Sequence, residues 1–386
     1  MNINLNYKKS KDNYLFVEIN ERVKKFRQTH SDLHILNLGV GDVTLPMDKK
    51  LVKVMTDALN DQATEKFKGY PPETGYDFLK TAICRYYKKL GVDISNEDVF
   101  VSNGAGCDVG NILNLFSFST AVIADPTYPA YYDSNILCGN EIILLPLTKQ
   151  NGYKMVIDGL EEKSYLIYIC SPNNPTGATM THDELKKWVD FANKTSSIIL
   201  FDNAYQSFIE DHCPKSIYLV EGAKTCAIEI ASFSKSAGFT NLRCGYTIVP
   251  KELQREGQSL NAMWNKRQCT FFNGVPYHIQ KGAEFALSDE GEKICQKNIN
   301  YYKQNAKILK SCFKGMQFLS SSNSPYIWLK IPAKFTSWQY FEYLLNEYNI
   351  VCVPGSGFGK FGEGYVRFSA FAKREDILLA KQRLAT

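Results

Sequence analysis

The sequence predicts an α/β protein: a large domain on a mostly parallel β-sheet, with a small α+β domain assembled from both chain ends. Three observations carry this. Short, predominantly apolar runs at 121–124, 165–170, 197–201 and 225–231 alternate with segments of helical periodicity. Runs that are apolar throughout, rather than on alternate residues, suit strands covered on both faces, as in parallel sheets. Polar clusters follow at 103–106, 125–128, 171–176, 202–205 and 232–235, each beginning where a strand ends. In open α/β sheets ligands bind beyond the strands' carboxyl ends, so these clusters predict one shared site.

Composition narrows the field. The chain has 386 residues, enough for two domains, and its 44% hydrophobic and 22% charged content is that of an ordinary globular protein. A net charge of +5, spread along the chain, calls for no nucleic-acid partner. No apolar run approaches the ~20 residues that cross a bilayer, so no membrane partner is expected. The first residues lack the apolar core of a signal peptide. Eleven cysteines without C-x-x-C spacing read as reduced, buried thiols, among them Cys84, Cys170, Cys226 and Cys352. Such usage predicts a cytoplasmic protein with neither disulfides nor a metal site.

Taken in order, residues 1–45 form a polar arm, a helix over 15–29 and part of the small domain. The arm is expected to lie over another part of the molecule or a partner subunit. Residues 36–44 read as a short strand followed by Gly39 and Gly41, which permit close backbone approach to a ligand or simply a tight turn. The large domain spans 46–285. It opens with helices over 47–66 and 76–90, separated by a loop that exposes Tyr70. A strand from Val99 ends in small residues and runs into a helix reaching Leu115; strand, turn and helix start together make an anion site from the amides of Ala105 and Gly106. A helix over 183–194 is capped by Thr181. Residues 286–386 form the C-terminal part of the small domain: a long helix from 286 to about 314, a strand at 326–331, a helix at 337–347, and strands at 351–354 and 365–369 flanking a glycine-rich loop.

The chemistry centres on Lys235, which stands between small hydroxyl residues eight positions before Arg243. A lysine becomes nucleophilic when burial or a nearby cation lowers its pKa, and it then condenses with an aldehyde cofactor. Ser232, Ser234 and Arg243 offer hydroxyls and a forked cation to a phosphate. A pyridine ring kept protonated by a buried carboxylate is an electron sink, and Asp202 suits that carboxylate. Tyr205 and Asn174 suit hydrogen bonds to the ring's phenolic oxygen, and Tyr128 suits stacking on its face. The freed Lys235 amine would carry the proton. Each piece has a plainer reading: Asp202 as a helix cap, Asn174 as a turn residue, Tyr128 as packing beside Pro126 and Pro129, Arg367 as a surface cation. Their joint occurrence favours a pyridoxal 5'-phosphate site with Lys235, Asp202 and Tyr205 as catalytic residues.

The order Asn-Pro-Thr-Gly from Asn174, Asp-x-x-Tyr from Asp202, Ser-x-Ser-Lys from Ser232, then Arg243 resembles the fold-type I aminotransferases that depend on pyridoxal phosphate. The resemblance covers nearly the whole chain. Stretches 10–16, 38–44, 75–79, 125–129, 229–239 and above all 260–274 are similar to a branch acting on a diamino dicarboxylic acid. The resemblance implies a seven-stranded type of sheet, Lys235 as the cofactor-bearing amine, and cofactor contacts from Tyr70, Ala105, Gly106, Tyr128, Asn174, Asp202, Tyr205, Ser232, Ser234, Arg243 and Asn273. It implies substrate contacts from Tyr14, Gly41, Tyr128, Asn174, Asn273 and Arg367, the last pairing with the α-carboxylate. It further implies a homodimer, with Tyr14, Tyr70 and Asn273 reaching across, and substrates that are amino acids and 2-oxo acids, glutamate as donor. One position departs from the family pattern: Gly106 stands where a substrate-touching lysine is expected. Rival functions are a broad-specificity aminotransferase, a carbon–sulfur lyase, and a pyridoxal-binding regulator. The regulator needs a DNA-binding module, and no basic helix-turn-helix precedes residue 36.

Overall fold

The computed structural model describes residues 1–10 and 14–385. Part of the 10–16 stretch, residues 11–13, lies outside them. After a 3₁₀ turn the chain forms α1 (Leu15–Thr29), β1 (Leu36–Asn37), α2 (Lys49–Asn60), α3 (Asp77–Lys89), β2 (Val99–Ser102) and α4 (Ala105–Asn111). Next come β3 (Thr120–Asp125), α5 (Pro129–Cys138), β4 (Glu141–Pro146), β5 (Leu166–Cys170), α6 (His182–Thr195) and β6 (Ile198–Asp202). Then follow β7 (Ala227–Ser232), α7 (Phe233–Ser236), β8 (Gly245–Ile248), the hairpin β9 (Gln254–Arg255) and β10 (Gln258–Ser259), α8 (Leu260–Phe271), α9 (Tyr277–Ala286) and α10 (Asp289–Ser311). The chain closes with β11 (Phe318–Leu319), β12 (Tyr326–Lys330), α11 (Ser337–Tyr348), β13 (Ile350–Val351), β14 (Val353–Pro354), β15 (Tyr365–Ser369) and α12 (Arg374–Leu384).

Seven strands make the central sheet, in the order β2-β8-β7-β6-β5-β3-β4. All run parallel except β8, which is antiparallel to both neighbours. The inner strands are buried along their length, Ile123, Ile167, Ile199 and Ile230 among them. Helices cover both faces, so each strand is apolar without alternation. The carboxyl ends of β2, β3, β5, β6 and β7 therefore open at one edge, where the polar clusters stand.

The smaller lobe holds a four-stranded antiparallel sheet, β11-β12-β15-β14, and the parallel pair β1 and β13. Its core joins Leu15, Ile19 and Phe26 of α1 to Trp328, Phe341 and Phe368. The amino-terminal helix is thus packed on the C-terminal part of the chain. The lobes meet where the Asp125 carboxylate accepts from the Lys360 and Phe361 amides, each at 3.0 Å. An aromatic cluster of Tyr205, Phe208, Tyr302, Tyr326 and Phe371 joins them again beneath the site.

The structure corrects several boundaries. The helix expected over 47–66 stops at Asn60, where Asp61–Ala63 tighten into a 3₁₀ turn and Thr64 Oγ1 donates to Asp61 O at 2.9 Å. The helix expected to reach Leu115 ends at Asn111 and continues as a 3₁₀ turn. The long helix expected from 286 to about 314 is shorter, running from Asp289 to Ser311: α9 ends at Ala286 and Ser288 caps a new start, its Oγ accepting from Gly291 N at 3.1 Å. Acidic Asp289, Glu290 and Glu292 then fill the first turn, where the helix dipole favours them. The 351–354 strand also divides, β13 pairing with β1 and β14 with β15. Thr181 caps α6 as expected, in a reciprocal pair with Glu184. All eleven cysteines are free; Cys226, Cys244 and Cys352 are buried, whereas Cys107, Cys138 and Cys269 are exposed and Cys84 and Cys170 lie partly exposed. The expectation of uniformly buried thiols is therefore too broad. Among the described residues no helix is long and apolar enough to cross a membrane.

Candidate active site

A cavity of about 480 Å³ opens at the carboxyl edge of the large sheet, roofed by the small lobe. Twelve expected residues line it: Gly41, Ala105, Gly106, Tyr128, Asn174, Asp202, Tyr205, Ser232, Ser234, Lys235, Arg243 and Arg367. Neither Tyr70 nor Asn273 does. Tyr70 is 88% exposed and Asn273 is exposed. Their loops meet elsewhere: a Cβ on Gly274 would sit 2.6 Å from Pro72 O and 2.9 Å from Pro71. Tyr14 does not line the cavity either: it lines a neighbouring one with Asp125 and Phe358, and stands beside Tyr128, its hydroxyl pKa raised by burial and by that neighbour.

Lys235 ends the β7 run on the single turn of α7, capped by Ser232, whose Oγ accepts from Ser234 N at 3.1 Å. That turn points the lysine into the cavity, where its ammonium donates to Gly41 O. Burial pulls its pKa down to about 8; Arg367 and Arg243 push the same way, and Asp42 opposes them. A large share of the amine is therefore neutral near pH 8, the form that attacks a carbonyl.

Asp202 closes β6 and is 8% exposed. Tyr131 Oη donates to its Oδ2 at 2.5 Å and Ala204 N to its Oδ1 at 3.0 Å. Burial raises its pKa, and these two bonds lower it. Arg243 has φ 57, the left-handed region, which turns it toward Gly104. A Cβ on Gly104 would lie 2.7 Å from Arg243 Nη2, so only glycine admits the guanidinium there. Beside it, the Ala105 and Gly106 amides belong to the first turn of α4, whose N–H groups have no intrahelical acceptor. A Cβ on Gly245 would strike Gly104 Cα at 2.8 Å, so glycine at 245 lets that turn sit against the sheet.

Arg367, on β15, is 1% exposed. It donates from Nη1 to Asn174 Oδ1 and from Nη2 to Gly39 O, each at 2.6 Å, while Nε has no partner. The first bond also orients Asn174: with its oxygen engaged, its amide N–H groups remain as donors on the other side. Among the described residues, Asp202, Arg243 and Arg367 have no oppositely charged partner. Leaving charges unpaired at low exposure is costly, so the cavity suits a ligand with an anionic group at two places and a cationic one at a third. It can bind such a molecule and carry a proton on Lys235.

Among the lining residues that the sequence reading did not name are Tyr131 and Tyr326. Tyr131 stands one helical turn beyond Tyr128, and that i, i+3 spacing after the Asp-Pro-x-Tyr cluster was an available signal. Tyr326 lies on a small-lobe strand with no motif around it, and no local signal marks it.

A family model described as "Aminotransferase class I and II" matches residues 34–381. The chain is 44% identical to an LL-diaminopimelate aminotransferase of Prochlorococcus marinus subsp. pastoris, over 99% of this chain and 98% of the relative. It resembles the solved L,L-diaminopimelate aminotransferase from Chlamydomonas reinhardtii with TM-score 0.94 and 38% identity, covering 100% and 98% of the two chains. A Thermus thermophilus aspartate aminotransferase variant shares the fold, with TM-score 0.87 at 18% identity.

Proposed function

Since the chain belongs to the class I and II aminotransferases, we propose that it is an LL-diaminopimelate aminotransferase dependent on pyridoxal 5'-phosphate. It moves an amino group from glutamate to tetrahydrodipicolinate, reversibly, in lysine and peptidoglycan biosynthesis. The observation that carries the reading is the set of three unpaired charges around one cavity, taken with the full-length similarity to enzymes of that name.

The residues present fit the cofactor. Arg243, the hydroxyls of Ser232 and Ser234, and the free amides of Ala105 and Gly106 match a phosphate. The Asp202 carboxyl, buried and without a cationic partner, would match a protonated ring nitrogen, whose charge would favour the carboxylate. When bound, pyridoxal phosphate supplies an aldehyde for an amine and a ring that draws electrons from the substrate's α-carbon. Lys235 would be the amine that holds the group's aldehyde end, and its Nζ is placed to take up and return a proton. Asn174 and Tyr205 would donate hydrogen bonds to the ring's oxygen. Arg367 seats the α-carboxylate through its fork, which fixes the scissile C–H bond with respect to Lys235. Tyr128 would cover the ring face, and Tyr14 stands beside Tyr128. Gly41 leaves its carbonyl to the Lys235 ammonium and has no side chain to obstruct the substrate.

Tyr70 and Asn273, adjoining one another outside their own cavity, serve the site of a second copy in a homodimer. Residues 46–285 act as the cofactor-binding domain, while 1–45 and 286–386 close over the substrate. Incubating the protein with LL-diaminopimelate and 2-oxoglutarate should yield glutamate by amino-acid analysis. Turnover of aspartate or aromatic amino acids with none of LL-diaminopimelate would overturn the assignment. A broader substrate range is the reading that Gly106 favours, since a side chain there would meet nothing within 4 Å and the family lysine is missing.

A further inference from the structure

We propose that Tyr326 is a positioning residue serving both halves of the site with separable parts of one side chain. Its hydroxyl orients Tyr205, and its ring face holds Arg367. The proposal rests on the pyridoxal phosphate reading above.

Tyr326 is 1% exposed and borders the cavity at the start of β12. Its hydroxyl shares a hydrogen bond with that of Tyr205 at 2.7 Å. A hydroxyl has one proton to donate. If Tyr205 is to donate toward the cavity, the shared proton must come from Tyr326. The chain then runs one way, and hydrogen bonds in series strengthen one another. The Tyr326 hydroxyl also packs on Gly41, where a Cβ would sit 2.8 Å away, so the backbone whose carbonyl receives the Lys235 ammonium fixes it. The ring does separate work. The Arg367 guanidinium lies over it at 4.3 Å from the centroid, closer than over Phe358 at 4.9 Å or Phe16 at 5.8 Å. That face is the nearest π-surface to a buried cation with an unpartnered Nε. The titratable groups facing Tyr326 are Tyr205, Arg367, Cys170 and Tyr128, and those facing Lys235 are Asp42, Arg367 and Arg243.

The two parts predict different losses. Tyr326→Phe keeps the ring and its packing on Phe371 and removes only the hydroxyl. In the cofactor-loaded protein, Tyr326→Phe should raise the pH midpoint of the visible absorbance change by about 0.7 pH unit, the worth of one neutral hydrogen bond. It should lower kcat about fivefold and leave KM for glutamate within about twofold. Tyr326→Leu, which also removes the ring, should in addition raise that KM about tenfold. Because the hydroxyl acts through Tyr205, the double variant Tyr205→Phe/Tyr326→Phe should titrate like Tyr205→Phe alone. A Tyr326→Phe midpoint equal to that of the parent chain would overturn the proposal. So would a shift that adds to that of Tyr205→Phe, or an equal rise in KM for the Phe and Leu variants. If the Leu variant does not fold, the Phe variant and the double variant decide alone. A parent chain that shows no visible band with added pyridoxal phosphate overturns the reading beneath, and this inference with it.

Discussion

The two ends of the cavity are built on different plans. The end proposed to hold the cofactor is drawn from strand ends of one sheet: Asp202 from β6, Lys235 and Ser234 just past β7, Ala105 just past β2. Each side chain is fixed by the strand before it, and neighbouring strands keep their spacing. The carboxylate end has no such common base. Arg367 comes from β15 of the small lobe, Gly39 and Gly41 follow β1 at the other end of the chain, and Asn174 follows β5 of the large sheet. A rigid sheet can hold a cofactor through every turnover, whereas a site assembled from two lobes can form and dissolve as substrates come and go. Substitutions at the two ends should therefore fail in different ways.

Lys235→Ala is expected to cost the most. Nucleophile and proton carrier are lost together, so glutamate formation should fall by at least about 10⁴-fold. The visible band of the bound cofactor should vanish. Asp202→Asn comes next, with kcat down about 10³-fold and KM little changed, since it removes a charge at the reacting ring and keeps the shape. Arg367→Lys should act at the other end: kcat/KM for glutamate falls about 10²-fold because the fork is lost, while affinity for pyridoxal phosphate stays as it was. A drop in cofactor affinity for Arg367→Lys, measured by equilibrium titration, would blur the division between the ends.

The same contrast decides what the sequence could reveal. Strand ends followed by polar clusters are local patterns: Asp202 and Tyr205 share one short motif, Ser232 and Lys235 share a second, and Arg243 stands eight residues beyond Lys235. Arg367 was found only through its place near the C-terminus of a resembling family. In isolation a Val-Arg-Phe strand reads as surface, and burial to 1% is a tertiary fact. β8 and the edge strand β4 went unread, β8 because its four residues include Gly245 and Thr247 and make no apolar run, and β4 because its residues are only partly buried. Tyr326 acts through two partners at 205 and 367 that no window of sequence contains. The break between α9 and α10 was legible in Ser288 followed by three acidic residues, a start signal hidden by the helical periodicity on both sides.

The depressed pKa of Lys235 makes the cofactor end sensitive to pH in the absence of ligand. Capture of pyridoxal phosphate by the cofactor-free protein needs the neutral amine, so its rate should rise about tenfold per unit up to pH 8 and level off above. Stability moves the same way. The folded value, about 8, lies below the ordinary 10.5, so the unfolded chain binds the proton more tightly. The cost of a buried ammonium is present in full below pH 8 and gone above 10.5. Lys235→Met should then stabilise the cofactor-free protein by up to about 3 kcal/mol at neutral pH, and by little near pH 10.5. Denaturant melts at two pH values measure it; an equal gain at both would mean that the methionine only packs better.

Tyr131 offers the finest division of the cofactor end. Its hydroxyl donates to Asp202 and is itself buried, its ring stacked on Tyr168 at 5.2 Å and edge-on to Tyr128 at 5.6 Å. Tyr131→Phe keeps those ring contacts and removes one donor from a carboxylate whose pKa burial already raises. Loss of a bond to the charged form raises that pKa further, so Asp202 should begin to protonate at a higher pH than in the parent. The expected fall in kcat is about fivefold near neutrality and larger as pH falls, because each protonated Asp202 is one that no longer holds positive charge on the ring. A ratio of variant to parent that stays flat across the acid range would assign Tyr131 to packing alone, and would place the whole control of Asp202 on the Ala204 amide.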